Sequence, residues 1–151
     1  MSKSNVKVFT SKQLNKQRQE NCFLDSLITD FCRYKKNGDF INYFGKDDQY
    51  MEPNSVKVLD IYHIHILDQS SRAYKRQQVE ISKGRTVEQH TLKCDINNSR
   101  HDKALVYTRG SANPNYYFLI HFFSSDAHGG ARDPNIMEYV KEQASSIKGE
   151  F

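Results

Sequence analysis

Tyr116-Tyr117-Phe118-Leu119-Ile120-His121-Phe122-Phe123, running on into Ser124-Ser125-Asp126-Ala127-His128-Gly129-Gly130-Ala131-Arg132, opens with the most apolar, aromatic-rich run of the chain. At period two, Tyr116, Phe118, Ile120 and Phe122 share one face, and Tyr117, Leu119, His121 and Phe123 share the other. Both faces are apolar, which predicts a central strand covered on both sides. A glycine pair then lets the backbone turn between His128 and Arg132. Asp133-Pro134 has the form of a helix start, an N-cap acceptor followed by proline at the first helical position. A rigid strand, a loop carrying an imidazole and a guanidinium, and a helix N-terminus together suit an anion. An ordinary strand-loop-helix connection with two solvated polar residues fits the same letters equally well.

Upstream of this stretch, Ala104 to Arg109 predicts a strand, and Ser111 to Asn115, with Pro114, a turn. Strands joined so briefly are antiparallel neighbours. Downstream, Ile136, Val140, Ala144 and Ile147 recur at helical spacing, so one face of a C-terminal helix packs on the sheet. At the other end of the chain, Val6 to Phe9 alternates weakly as a short first strand. Thr10-Ser11-Lys12-Gln13 has the form of a capping box. Leu14, Phe23, Leu24, Leu27, Ile28, Phe31 and Tyr34 then follow a helical period up to a stop at Asn37-Gly38. Polar Asn15 to Asn21 leaves open whether this is one helix or two. Phe44 to Tyr50 reads as a loop, and Val56 to Leu67 as a second clear strand with Leu59, Ile61, His63, His65 and Leu67 on one face.

From Asp68 to Asp102 the chain is polar and basic, with Gln77-Val79-Ile81 and Thr91 to Ile96 hinting at short strands or a hairpin. Residues 69–102 read as an elaboration on a single domain spanning 1–151. The expected fold is therefore a small α+β domain: a twisted antiparallel sheet with an N-terminal helix or helix pair and a C-terminal helix packed on it.

The totals agree with a polar globular protein. Among 151 residues, 26% are charged and 37% hydrophobic, and the net charge of +4 with pI near 8.9 permits RNA or another polyanion without demanding it. Met1 to Val6 lacks the apolar core of a signal peptide, and no apolar run approaches the roughly 20 residues of a membrane span. Cys22, Cys32 and Cys94 are odd in number without CxxC spacing, and read as small buried hydrophobes in a reducing cytoplasm.

His63 and His65, at i and i+2 on one strand face, invite three readings: a metal site, acid-base work, or buried hydrogen-bonded rings. As a metal signal the pair is weak, and a third ligand would have to come from His121 or His128.

Three separated blocks carry a resemblance. Asp30-Phe31-x-x-Tyr34-Lys35-x-x-Gly38 is followed by Phe44-Gly45-Lys46-Asp47 and Tyr50. His63-Ile64-His65 ends a strand. Leu105-Val106-Tyr107-x-x-Gly110 precedes the apolar strand, and His128-x-x-Ala131-Arg132-Asp133-x-Asn135-x-Met137 follows it. In order and approximate spacing these blocks resemble the YafO family of bacterial toxin-antitoxin toxins. The departures are a longer N-terminal lead, the basic stretch 69–102, and Gly129-Gly130 where bulkier residues are expected. The resemblance implies a compact RelE-type fold and a ribosome-dependent mRNA interferase, an endoribonuclease that stops translation at the ribosome until a cognate antitoxin binds it. The expected chemistry uses no metal or other cofactor, and the expected place is the cytoplasm.

Residue roles follow from the chemistry of metal-free RNA cleavage, which needs a base, an acid, a cation for the phosphoryl oxygens and a surface for the strand. His65 and His128 are candidate acid and base, because imidazole titrates near neutral pH. Arg132 suits the phosphate, being always charged and forked. Lys46, Tyr50, His63, Tyr107 and Arg109 are candidates for holding RNA, and the helix end at Asp133 is a secondary anion site. Two other readings use the same residues: a non-enzymatic RNA- or ribosome-binding module, and a metal-dependent hydrolase built on His63 and His65.

Overall fold

The computed structural model describes residues 5–151. In chain order it comprises β1 (Lys7–Thr10), α1 (Lys12–Glu20), α2 (Phe23–Asn37), β2 (Phe44–Gln49), α3 (Asn54–Lys57), β3 (Tyr62–Ile66) and α4 (Arg72–Ser82). Two 3-10 turns (Gln89–Thr91, Ser99–His101) lead into β4 (Lys103–Arg109), β5 (Tyr116–Phe123), α5 (Ala127–Gly130) and α6 (Pro134–Glu150). The five strands form one sheet in the order β1-β5-β4-β3-β2.

The α+β class holds, but the sheet is mixed and not wholly antiparallel. β2, β3, β4 and β5 pair antiparallel, whereas β1 runs parallel to β5 with Lys7 opposite Tyr116 and Thr10 opposite Leu119. Turn lengths fix the direction of neighbours in sequence, and they are silent about strands more than a hundred residues apart. Past Thr10 the edge of β5 is closed by a side chain. Gln17 on α1 donates from Nε2 to the Phe122 carbonyl (2.9 Å) and accepts the Phe122 N–H at Oε1 (3.1 Å).

Helices cover both faces of the sheet. On one, Leu14 of α1 and Leu24, Leu27 and Phe31 of α2 pack on Ile64, Ile66, Leu105, Leu119 and Phe122. On the other, Met137, Val140 and Ala144 of α6 pack on Ile61, Ala104, Val106, Ile120 and Phe123. The strict alternation expected along β5 breaks midway. Val106 pairs with His121 but Tyr107 with Leu119, so Ile120 is an extra residue and the phase flips. Tyr117, Leu119 and Phe122 consequently share the α2 core, and Ile120 and Phe123 the α6 core.

One open alternative is settled and several local expectations are corrected. The helical segment divides in two at Asn21-Cys22, and α1 is capped by Ser11, whose side chain accepts the Leu14 N–H, not by Thr10. Residues 44–49 are strand β2 despite their polar letters, because pairing with β3 outweighs propensity. Gly45 is required there, since a Cβ would lie 2.2 Å from the Leu92 carbonyl of a crossing segment. The strand expected over 56–67 begins only at Tyr62: Asn54–Lys57 is a helical turn, and Asp60 at φ 51° breaks the extension. Gln77, Val79 and Ile81 lie on helix α4, capped by Ser71, with buried Gln77 accepting the Val87 N–H (2.8 Å). Thr91 to Ile96 forms no strand. Cys94 is buried as expected, whereas Cys22 is exposed.

Candidate active site

One end of the sheet opens into a cavity of about 700 Å³ between β3, β4, α5 and the start of α6. Its lining brings together five residues singled out from sequence: Tyr50, His63, His65, His128 and Arg132. His63 and His65 share a face of β3 with ring centroids 5.4 Å apart, and the His128 ring meets His65 edge-on at 5.8 Å. Tyr50, just past β2, stacks flat on His63 at 4.1 Å. Arg132 is exposed at the mouth and forms no ion pair among the described residues.

The two inner histidines are held in opposite senses. His65 is 6% exposed, and its Nδ1 accepts the backbone N–H of Cys94 at 2.9 Å. An Nδ1 that accepts leaves the proton on Nε2, so the neutral ring offers a donor to the cavity. Burial, reinforced by the positive charge of neighbouring His63 and His128 when protonated, holds its pKa down to about 3. His128 sits the other way round. Its Nδ1 faces both carboxylate oxygens of Asp102 (2.9 and 2.8 Å), and its backbone N–H donates to the same carboxylate at 2.8 Å. Asp102 is 1% exposed. An acceptor-only carboxylate puts the proton on Nδ1 and leaves Nε2 bare. Gly130 lets α5 sit this close to the sheet, since a Cβ there would come 2.4 Å from the Phe123 ring.

His63 is less buried than His65. Burial likewise lowers its pKa, to about 4, and its Nδ1 finds no hydrogen-bond partner among the described residues. His121 is buried on β5 against Phe123 and does not line the cavity. Among the described residues no three His, Cys, Asp or Glu side chains are placed to share a metal ion.

Of the remaining candidates only Asp133 also lines the cavity. Tyr107 is 2% exposed on the α2 face, its hydroxyl donating to Asp47 (2.8 Å) and its ring meeting Phe31, so it has no surface on which a base can stack. Arg109, at the far end of β4, lies over the Tyr62 ring and does not line the cavity. Lys46 sits on β2 beside the histidines, paired to Asp48 at 3.1 Å, and does not line the cavity either. Asp133 does cap α6, accepting the Asn135 N–H at 2.9 Å. Its own carboxylate therefore already occupies the positive helix end proposed for an anion. Sequence reading missed Asp102 altogether. It closes a polar stretch and looks like one more solvated acid, and only its burial against α5 marks it out.

Residues 32–149 match the family described as toxin YafO of type II toxin-antitoxin systems. The chain belongs to the YafO toxin family. The mRNA interferase toxin YafO of Escherichia coli (strain K12) is 26% identical over 149 residues, a match covering 97% of this chain and all of that protein. No solved structure matches. The cavity residues from Tyr50 to Lys141 all lie inside the segment that matches the YafO family.

Proposed function

We propose that this YafO-family chain is an endoribonuclease that cuts mRNA on the translating ribosome in the bacterial cytoplasm and is silenced by a cognate antitoxin. The observation that carries this reading is the buried Asp102 carboxylate on His128 Nδ1, which turns a bare Nε2 into the cavity beside the His65 donor and Arg132. The printed name of the Escherichia coli relative, an mRNA interferase, supports RNA as the substrate. The same reading gives the chain a RelE-type fold.

In this scheme His128 Nε2 takes the proton from a ribose 2′-OH, and Asp102 stabilises the imidazolium that forms. The 2′-oxygen attacks the adjacent phosphorus, giving a 2′,3′-cyclic phosphate as the bond to the 5′-oxygen breaks. Arg132 holds the phosphoryl oxygens as charge gathers on them. His65 donates a hydrogen bond to the same group from Nε2. Burial keeps it neutral, so it serves as a fixed donor in place of the titrating acid expected from its sequence. The departing 5′-oxygen takes a proton from water at the open mouth. Tyr50, stacked on His63, offers an aromatic face to a flanking base.

The test is inducible expression with mapping of cellular mRNA 5′ ends, in the wild type and in His128→Ala. Growth arrest with new ends inside translated regions, abolished by the substitution and by co-expressed antitoxin, is the expected result. Slowed translation without new ends would instead make the chain an RNA-binding module. Purified protein should cleave equally after thorough chelation, and loss of activity restored by a transition metal would revive the hydrolase reading on His63 and His65.

A further inference from the structure

Residues 72–85 hold five cations (Arg72, Lys75, Arg76, Lys83, Arg85) against one carboxylate, Glu80. That net charge of +4 equals the formal net charge of the whole chain, so the rest of the sequence is electrically balanced. The structure concentrates this surplus further. Arg72, Lys75, Arg76, Val79, Ser82 and Lys83 are all exposed, and at 100° per residue they fall on one side of α4 and its C-cap. The one acid is turned aside, with Glu80 held by Arg85 at 2.8 Å. Arg76 donates from one guanidinium nitrogen to the Thr91 carbonyl and hydroxyl (3.1 and 3.0 Å), which positions the guanidinium without neutralising it. Among the described residues Arg72, Lys75 and Lys83 make no ion pair. The stripe also starts next to the cavity. Asp68, in the turn that leads into α4, holds the cavity-lining Lys103 at 2.6 Å.

We propose that the exposed face of α4 is a second RNA-binding site, which grips the phosphodiester backbone of the strand outside the cleavage cavity. The helix is roughly 16 Å long at about 1.5 Å per residue, so its four cations meet several successive phosphates of one strand. Charge on one face, without base-reading geometry, gives affinity that is independent of sequence and dependent on salt. This deepens the nuclease reading, and the two stand or fall separately when the probe is one that cannot be cut.

The test compares the full-length protein with an Arg72→Ala/Lys75→Ala/Lys83→Ala variant. Alanine favours helix, so α4 persists, and circular dichroism and thermal melts verify this. The probe is a fluorescent 2′-O-methyl 30-mer, which lacks the attacking hydroxyl, titrated at 50–200 mM salt. The variant should bind at least about tenfold more weakly, and the slope of log K against log salt should fall by about 2, from roughly 0.7 per lost phosphate contact. Unchanged affinity and slope would overturn the proposal, as would a wild type that fails to bind the strand. Loss of antitoxin binding with RNA binding intact would also overturn it, because the stripe would then belong to an acidic protein segment. A wild type that binds the probe through the stripe yet leaves translated mRNA intact would sink the nuclease reading and leave this site standing.

Discussion

Two histidines of the cavity differ by what touches Nδ1. A backbone N–H from Cys94 makes His65 a neutral donor, and a buried carboxylate makes His128 an acceptor at Nε2. Asp102→Asn keeps the size but offers His128 an uncharged group. In this variant kcat should fall by roughly 10²–10⁴ while KM for RNA stays near the wild-type value, since Asp102 positions the base and is buried beneath it. Single-turnover cleavage of programmed ribosomes would measure this, and a matching rise in KM with kcat intact would reassign Asp102 to substrate binding. Arg132→Lys keeps a charge at the cavity mouth but loses the fork. Its cleavage rate should drop by an order of magnitude or more with thermal stability unchanged, because the residue is exposed. Wild-type rates would mean that the phosphate lies elsewhere.

Whole elements were legible where sequence period and caps agreed. β4, β5 and α6 stand close to where alternation, the Pro114 turn and Asp133-Pro134 put them. What could not be read was pairing over long distances: β1 beside β5, β2 as an edge strand, and the break in phase at Ile120. The cavity shows the same division. Its histidines and Arg132 stood out by residue type, whereas Asp102, Cys94 and Gly45 matter only through partners dozens of residues away. At this scale the Gln17 side chain is informative, because it replaces a missing strand at the edge of β5. Gln17→Ala leaves the N–H and carbonyl of Phe122 without their partner, and should cost about 1–3 kcal/mol. Urea unfolding checks this, and a change below about 0.5 kcal/mol would mean that water substitutes freely.

For the molecule as a whole, buried neutral histidines set how stability responds to acid. His63 and His65 titrate near 4 and 3 in the fold against about 6.5 in the unfolded chain, and His121 is lowered in the same direction by burial. Asp47 and Asp48 oppose the shift at His63, while His128 and Lys46 add to it. Between those values the unfolded chain binds more protons, so stability is complete above about pH 6.5 and drains away as pH falls toward 4 and below. The melting temperature should therefore drop steadily from pH 7 to pH 4, and the decline should be shallower in His65→Gln. A melting temperature that rises on acidification would contradict the burial of these rings.

The segment between α4 and β4 carries both the Cys94 N–H that fixes His65 and the Asp102 carboxylate that fixes His128. Lys93 and Arg100, both within that segment, are exposed. The chain thus has a fuse: one tryptic nick after Lys93 frees the peptide holding one imidazole while leaving the sheet and α6 in place. Limited digestion should extinguish cleavage in step with the appearance of two fragments meeting at residue 93, before global unfolding is seen by circular dichroism. A nicked protein that still cut RNA at full rate would show that the strap is ornamental to the chemistry.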